Sequence, residues 1–247
     1  MLNVSEQEWN LRLDLAAAFH MAVANDLHEG IANHFSAMLP DGEHFLINPF
    51  GLHFSEITAS NLIVCDFKGK VIRGDGTPSP AAHNIHVPIH KLAPRARVVF
   101  HTHQPYATAL TMIENGRLEW SLQTTCRFYN RVAYDSDYDG VALSENVGTR
   151  MVGILKDAEV LFLGNHGVLT VAPTIAQAFD DLYFIERVAQ TQILAMSTGQ
   201  PLKQLSQEII EMVAKQTHYE RFEMEYIEKH FLAQKRLLDA DGGVYRH

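Results

Sequence analysis

A long Ala/Leu-rich stretch opens the chain and stops near Gly30, after which the spacing of apolar residues changes. The first stretch follows Ser5-Glu6-Gln7-Glu8, a capping-box arrangement, and predicts a helix from Glu6 to Leu27. The runs "IANHFSAML", "EHFLINP" and "NLIVCDF" then carry β-branched or aromatic residues separated by Pro-Asp-Gly or Gly signals, which predicts strands in a meander. Ser79 to Ala93 reads as a helix that Pro88 would kink or limit to its first turns, because proline lacks the N–H that a helix interior needs.

Arg97 to His103 reads as a buried strand. Helices are predicted at Pro105–Ile113, Ser144–Lys156 and Thr174–Thr198, the last stopped by Gly199-Gln200-Pro201. Between them "EVLFLGNHGVLTVA" is two strands joined at Asn165-His166-Gly167. Leu205 to Leu238 is charged and amphipathic, so it is expected on the surface or against another subunit. With no repeat, low-complexity tract or linker, residues 1–247 read as one α/β domain with a mostly antiparallel sheet, and 204–247 as its helical C-terminal extension.

Composition narrows the setting. Hydrophobic residues make up 47% and charged residues 20%, as in globular proteins, and no apolar run approaches the roughly 20 residues that a membrane span takes. The N-terminus "MLNVSEQEWNLRLDL" has acidic residues early and no basic segment before an apolar one, unlike a signal peptide. Cys65 and Cys126, the only two cysteines, fit reduced thiols, so the expected location is cytoplasmic. A formal charge of −9 without a basic cluster argues against a nucleic-acid partner.

Histidine is the unusual residue, with fourteen in the chain and several between His83 and His103. On a strand, residues two apart share a face, so His101 and His103 would present two imidazoles to one side. A catalytic metal commonly takes three protein ligands, and His166, at a strand end before Gly167, is the best third candidate. A lone H-x-H is a weak motif, and half-buried histidines with ordinary hydrogen bonds are the bland alternative.

The segments "FLINPFGLHFSEITASNL", "HNIHVPIHKLAPRARVVFHTH", "RFYNRVAY" and "LGNHGVLTV", in this order, resemble the class II aldolase and adducin head-domain family over about Leu11 to Gly199. The resemblance implies a three-layer α/β/α domain around a largely antiparallel sheet, usually a tetramer with active sites near subunit interfaces. It implies a divalent metal on His101, His103 and His166, zinc first, with manganese, cobalt or nickel as alternatives. The sugar-phosphate aldolases of the family complete their site with a glutamate four residues before the place of His86, where this chain has Ala82. Their phosphate-binding serines and threonine are replaced by Pro80, Ala81 and Phe50, while Asn33 matches the asparagine of their phosphate loop. The pattern "NHFSAMLP" and "FLINPFG" resembles the adducin-like branch more closely.

Further candidates are Tyr129 as an acid/base group, since family aldolases use a tyrosine, and Arg127 and Arg131 as partners of a substrate carboxylate. Their bland reading is structural: a tyrosine hydroxyl tied to backbone and arginines in ion pairs. His86 is read as supporting a ligand by hydrogen bonding more than as a ligand itself. Glu56 reads as part of a turn ahead of Thr58. Two functions follow from these residues. One is a metal-dependent lyase that cleaves a C–C bond, by retro-aldol cleavage or decarboxylation, in a small non-phosphorylated oxo or hydroxy acid. The alternative is an adducin-like binding or scaffold protein without turnover. A homo-oligomer is expected in either case.

Overall fold

Among the described residues eight strands form one sheet, and the buried apolar residues are divided between its two faces. The computed structural model describes residues 3–138, 140–217 and 220–247; the leader reading and the tail reading both extend onto residues outside these. The strands are β1 (His34–Met38), β2 (His44–Ile47), β3 (Ile63–Asp66), β4 (Val71–Arg73), β5 (Val98–Thr102), β6 (Val132–Asp135), β7 (Val160–Leu163) and β8 (Gly167–Ala172). Their order is β4-β3-β2-β1-β5-β8-β7-β6, and every pairing is antiparallel except that of β6 with β7.

Helices α1 (Glu6–Ala24), α3 (Pro105–Thr111), α5 (Ile175–Met196) and α7 (Glu220–Ala240) cover one face, where Phe19, Phe35, Phe100 and Phe179 join the larger core. Helices α2 (Pro80–Leu92) and α4 (Glu145–Leu155) cover the other, over Val99, Leu161, Leu169 and Val171. Helix α6 (Gln207–Thr217) lies against the short helical turn at Gln123–Phe128. This is the expected three-layer α/β/α architecture. Cys65 and Cys126 are unbonded and buried. No helix of the described residues is long and apolar enough to cross a membrane.

Four details differ from the sequence expectations. Helix α1 ends at Ala24 because Asp26 adopts a left-handed φ of 57° while its N–H bonds Val23 O and that of Leu27 bonds Ala22 O, a double cap that stops the helix before Gly30. Helix α2 runs through Pro88. A Cβ built on Gly148 of α4 would lie 2.5 Å from Asn84 O and 2.8 Å from Pro88 Cγ, so only glycine lets α4 approach the carbonyl that the proline leaves without its usual donor. Strands β4 and β6 are additional, both short and with half-exposed side chains that weaken an apolar signal. The C-terminal extension is two helices, and Ile227 and Phe231 of α7 are buried in its own chain.

Candidate metal centre

Sheet register places the histidines. His101 in β5 stands opposite His34 in β1, and both side chains project to the α2 face, since the alternate residues Phe35 and Phe100 lie in the α1/α5 core. His103 lies just past the end of β5, so the pair is not carried on one flat strand face as the spacing predicts. The chain turns there instead. Gly167, the first residue of β8, makes the turn possible: a Cβ on it would come within 2.4 Å of Thr102 O and 2.9 Å of His103 Cδ2.

His166 sits in the β7–β8 turn, which is clamped from both sides. Gly164 N–H donates to Asp135 O at 2.6 Å, Asn165 N–H donates to Thr111 O at 3.1 Å, and Asn165 itself takes a left-handed φ of 55°. The result is a compact triad. One ligand nitrogen from each of His101, His103 and His166 lies within 4.8 Å of the others, and the rings are 4.7–4.9 Å apart.

Hydrogen bonds orient the rings. His101 Nδ1 donates to Val168 O at 3.0 Å and His103 Nδ1 lies 2.5 Å from Glu29 Oε2, which turns both Nε2 atoms toward each other at 3.1 Å. Two imidazole nitrogens at that distance either share one proton or stand on a common cation. Burial, followed by the neighbouring His166, His34 and His103, pushes the His101 pKa well below its ordinary value. Burial and His103 bring His166 down to about 4 against the opposing pull of Glu29. Neutral imidazoles with inward nitrogens are the form that takes a divalent ion, and a carboxylate on the far nitrogen of a ligand is the usual support for one. The donor set fits the metal that the resemblance implies.

Asn33 is beside the triad. Its Oδ1 accepts from Glu29 N–H at 2.6 Å and from His103 N–H at 3.4 Å, an arrangement only the oxygen can satisfy, and its buried Nδ2 has no protein partner. Tyr129, Arg127 and Arg131 lie elsewhere. Tyr129 meets Gln207 and Glu211 of α6, while Arg127 pairs with Asp180 and Arg131 with Asp181 and Glu159. Both aspartates belong to α5, on the opposite face of the sheet from His101. Within one chain these three residues do not meet the histidines.

Glu29, His34, Ser36 and His90 are polar residues of this region that the sequence reading missed. The signals were present: His34 and Ser36 are two apart on a strand, and His86 and His90 are four apart on a helix, so each pair shares a face. Tyr138, its ring 6.1 Å from that of His166, follows β6 and had no such signal. Ala82 is buried among Met38, Phe45, Ile47 and Val87.

Comparison with known proteins gives the family and the fold. The model of the "Class II Aldolase and Adducin N-terminal domain" family matches residues 13–193. A solved aldolase II superfamily protein from Pseudomonas syringae is 35% identical, with a TM-score of 0.91 over 99% of this chain and 98% of that one. L-fuculose 1-phosphate aldolase from Glaciozyma antarctica PI12 is 27% identical, with a TM-score of 0.86 over 100% and 96%. An adducin-related protein of Schizosaccharomyces pombe is 30% identical over 98% of this chain and 78% of its own length, and decarboxylase NovR of Streptomyces niveus is 27% identical over 80% and 73%. With the family model spanning most of its length and the fold shared end to end, the chain belongs to the class II aldolase and adducin N-terminal domain family.

Proposed function

We propose that the protein is a metal-dependent lyase that breaks a C–C bond, by retro-aldol cleavage or decarboxylation, in a small non-phosphorylated oxo or hydroxy acid. The observation that carries this reading is the inward pair of Nε2 atoms on His101 and His103, with His166 closing the triad. His101, His103 and His166 would hold a divalent ion, zinc first, which would supply Lewis acidity toward a substrate oxygen beside the bond that breaks. The kinship to an aldolase and to a decarboxylase supports this class of reaction.

The chain's own residues do the rest. Glu29 holds the His103 ring, and Asn33 ties the loop at Glu29 to the His103 backbone. Tyr129 enters the reading as a group that a neighbouring copy offers in a homo-oligomer, a tetramer by resemblance, where it handles a proton; Arg127 and Arg131, each paired with an aspartate of α5, take the structural role instead. Phosphate is disfavoured because Pro80, Ala81 and Phe50 bring no side-chain donors to replace its hydration.

Elemental analysis of wild type and His101→Ala, purified without chelator and with zinc added, tests the centre. Near-stoichiometric zinc in the wild type and its loss in the variant are expected; equal, near-zero metal in both leaves the adducin-like binding protein as the better reading. Faster cleavage of sugar phosphates than of non-phosphorylated oxo acids would overturn the substrate class.

A further inference from the structure

His34 stands beside the triad, its ring 5.0 Å from that of His101, and behind it runs a buried file of polar groups. His34 Nδ1 is 2.7 Å from His86 Nε2; His86 Nδ1 is 2.5 Å from Ser36 Oγ; Ser36 Oγ is 2.8 Å from His90 Nε2; and His90 Nδ1 is 2.7 Å from Ala96 O. The file ends on a carbonyl, which can only accept. His90 therefore carries a proton on Nδ1, and because burial lowers its pKa to about 4, its Nε2 is a bare lone pair at neutral pH.

The remaining protons follow one by one. Ser36 must donate to His90 Nε2, so its oxygen accepts from His86 Nδ1–H. His86 Nε2 is then bare and accepts from His34 Nδ1–H. The reverse direction would ask the Ala96 carbonyl to donate. What is left over is His34 Nε2, a lone pair with no hydrogen-bond partner among the described residues, and it is not one of their unpartnered polar atoms that are sealed from solvent.

We propose that His34 is a specificity-determining residue: its Nε2, locked as a hydrogen-bond acceptor beside the three histidines, takes a hydroxyl of the substrate, so hydroxy acids bind in preference to oxo acids of the same skeleton. This rests on the reading of the triad as a metal centre for small acids. An oxo or carboxylate oxygen set against His34 Nε2 would oppose two lone pairs, whereas a hydroxyl supplies the missing proton. One such bond formed or left unmade is worth about tenfold in affinity. Ser36 and His90 act as positioning residues, since they fix the tautomer without touching the ligand.

Two measurements on the full chain test it. Long-range 1H–15N spectra of histidine-labelled protein without metal, at neutral pH, are expected to show His34, His86 and His90 each protonated on Nδ1; an Nε2–H form of His34 overturns the proposal whether or not the protein is an enzyme. Calorimetry on zinc-loaded protein, with lactate and pyruvate as probes, is expected to give about tenfold tighter binding of lactate. His34→Phe should abolish that difference at unchanged zinc content, and Ser36→Ala should reduce it while mixing the His34 tautomers. Equal binding of the two probes by wild type, or a lactate preference that survives in His34→Phe, overturns the proposal. Failure to retain zinc would count against the metal centre alone, because the tautomer spectra are taken without it.

Discussion

Glu29 Oε2 lies 2.5 Å from His103 Nδ1, and this contact decides what the ring's other nitrogen does. With the proton held on Nδ1, Nε2 is free to face His101. Glu29→Gln keeps the size of the side chain but replaces a charge-assisted bond with a neutral one, and its amide can present NH₂ as easily as oxygen. Zinc affinity is expected to fall about 10- to 100-fold, the usual effect of losing a partner behind a ligating histidine. Competition with a chelator of known affinity measures it, and thermal stability without metal should change little because the Glu29 carboxylate is largely exposed.

The parts of this site that were legible in the sequence are those whose signal is local. H-x-H after an apolar run and His166 before a glycine both sit where a strand ends, and family motifs supplied the link between them. Glu29 was illegible because it lies 74 residues from the His103 it supports, in a loop without periodicity. Pro88 misled because its cost is met elsewhere: the exposed Asn84 carbonyl is covered by Gly148, on another helix, which no local rule anticipates. Arg127 and Arg131 were read as substrate partners from their chemistry alone, and the fold gives each of them an aspartate on α5. Short β-branched and aromatic runs between turn signals predicted most of the sheet, but β4 and β6, at its two edges, have half-exposed residues and little apolar signal to read.

His90 sets a pH dependence of stability. Burial lowers its pKa from 6.5 to about 4, so the folded protein binds fewer protons than the unfolded chain in between. The contribution is fully present above about 6.5 and is lost as pH falls through that window toward 4. Its size is roughly 3 kcal/mol, from the separation of the two values. His34 and His86 are shifted in the same direction. Urea unfolding between pH 7.5 and 4.5 is expected to show a falling midpoint, and His90→Gln, though less stable at pH 7.5, should show a flatter dependence. A parallel fall in the two proteins would contradict the assignment.

Arg131 holds Asp181 at 2.7 Å and Glu159 at 3.2 Å. Burial pushes Asp181 up to about 6 even with the guanidinium beside it. Arg131→Met removes that partner and leaves the carboxyl enclosed; because a group already raised to about 6 takes up a proton instead of staying charged, the penalty is expected to be about 1–2 kcal/mol at neutral pH. The loss should shrink as pH falls toward about 6, because the carboxyl that has lost its guanidinium takes up a proton above the wild-type value. Zinc retention by the folded fraction should be unchanged. A variant of wild-type stability with weakened binding of small acids would instead favour the carboxylate-binding role in a neighbouring copy.

Ala82→Glu places a carboxylate where the related aldolases have one, and two opposing effects decide what it does here. Ser79 caps α2 by accepting from Ala82 N–H at 3.1 Å, so a glutamate at this position completes a capping box and can gain up to about 1 kcal/mol. Against this, the Ala82 side chain is 1% exposed and packed among Met38, Phe45, Ile47 and Val87. Burying a carboxylate there without a cation costs several kcal/mol, and the larger side chain adds overpacking of typically 1–3 kcal/mol. Burial wins, so a lower melting temperature and no gain in zinc affinity are expected, although sequence position alone suggests a restored ligand. Thermal unfolding and chelator competition, run on the same preparations, decide it. If zinc binding tightens while stability holds, the introduced side chain reaches the triad, and the apolar surroundings of Ala82 yield more readily than their packing implies.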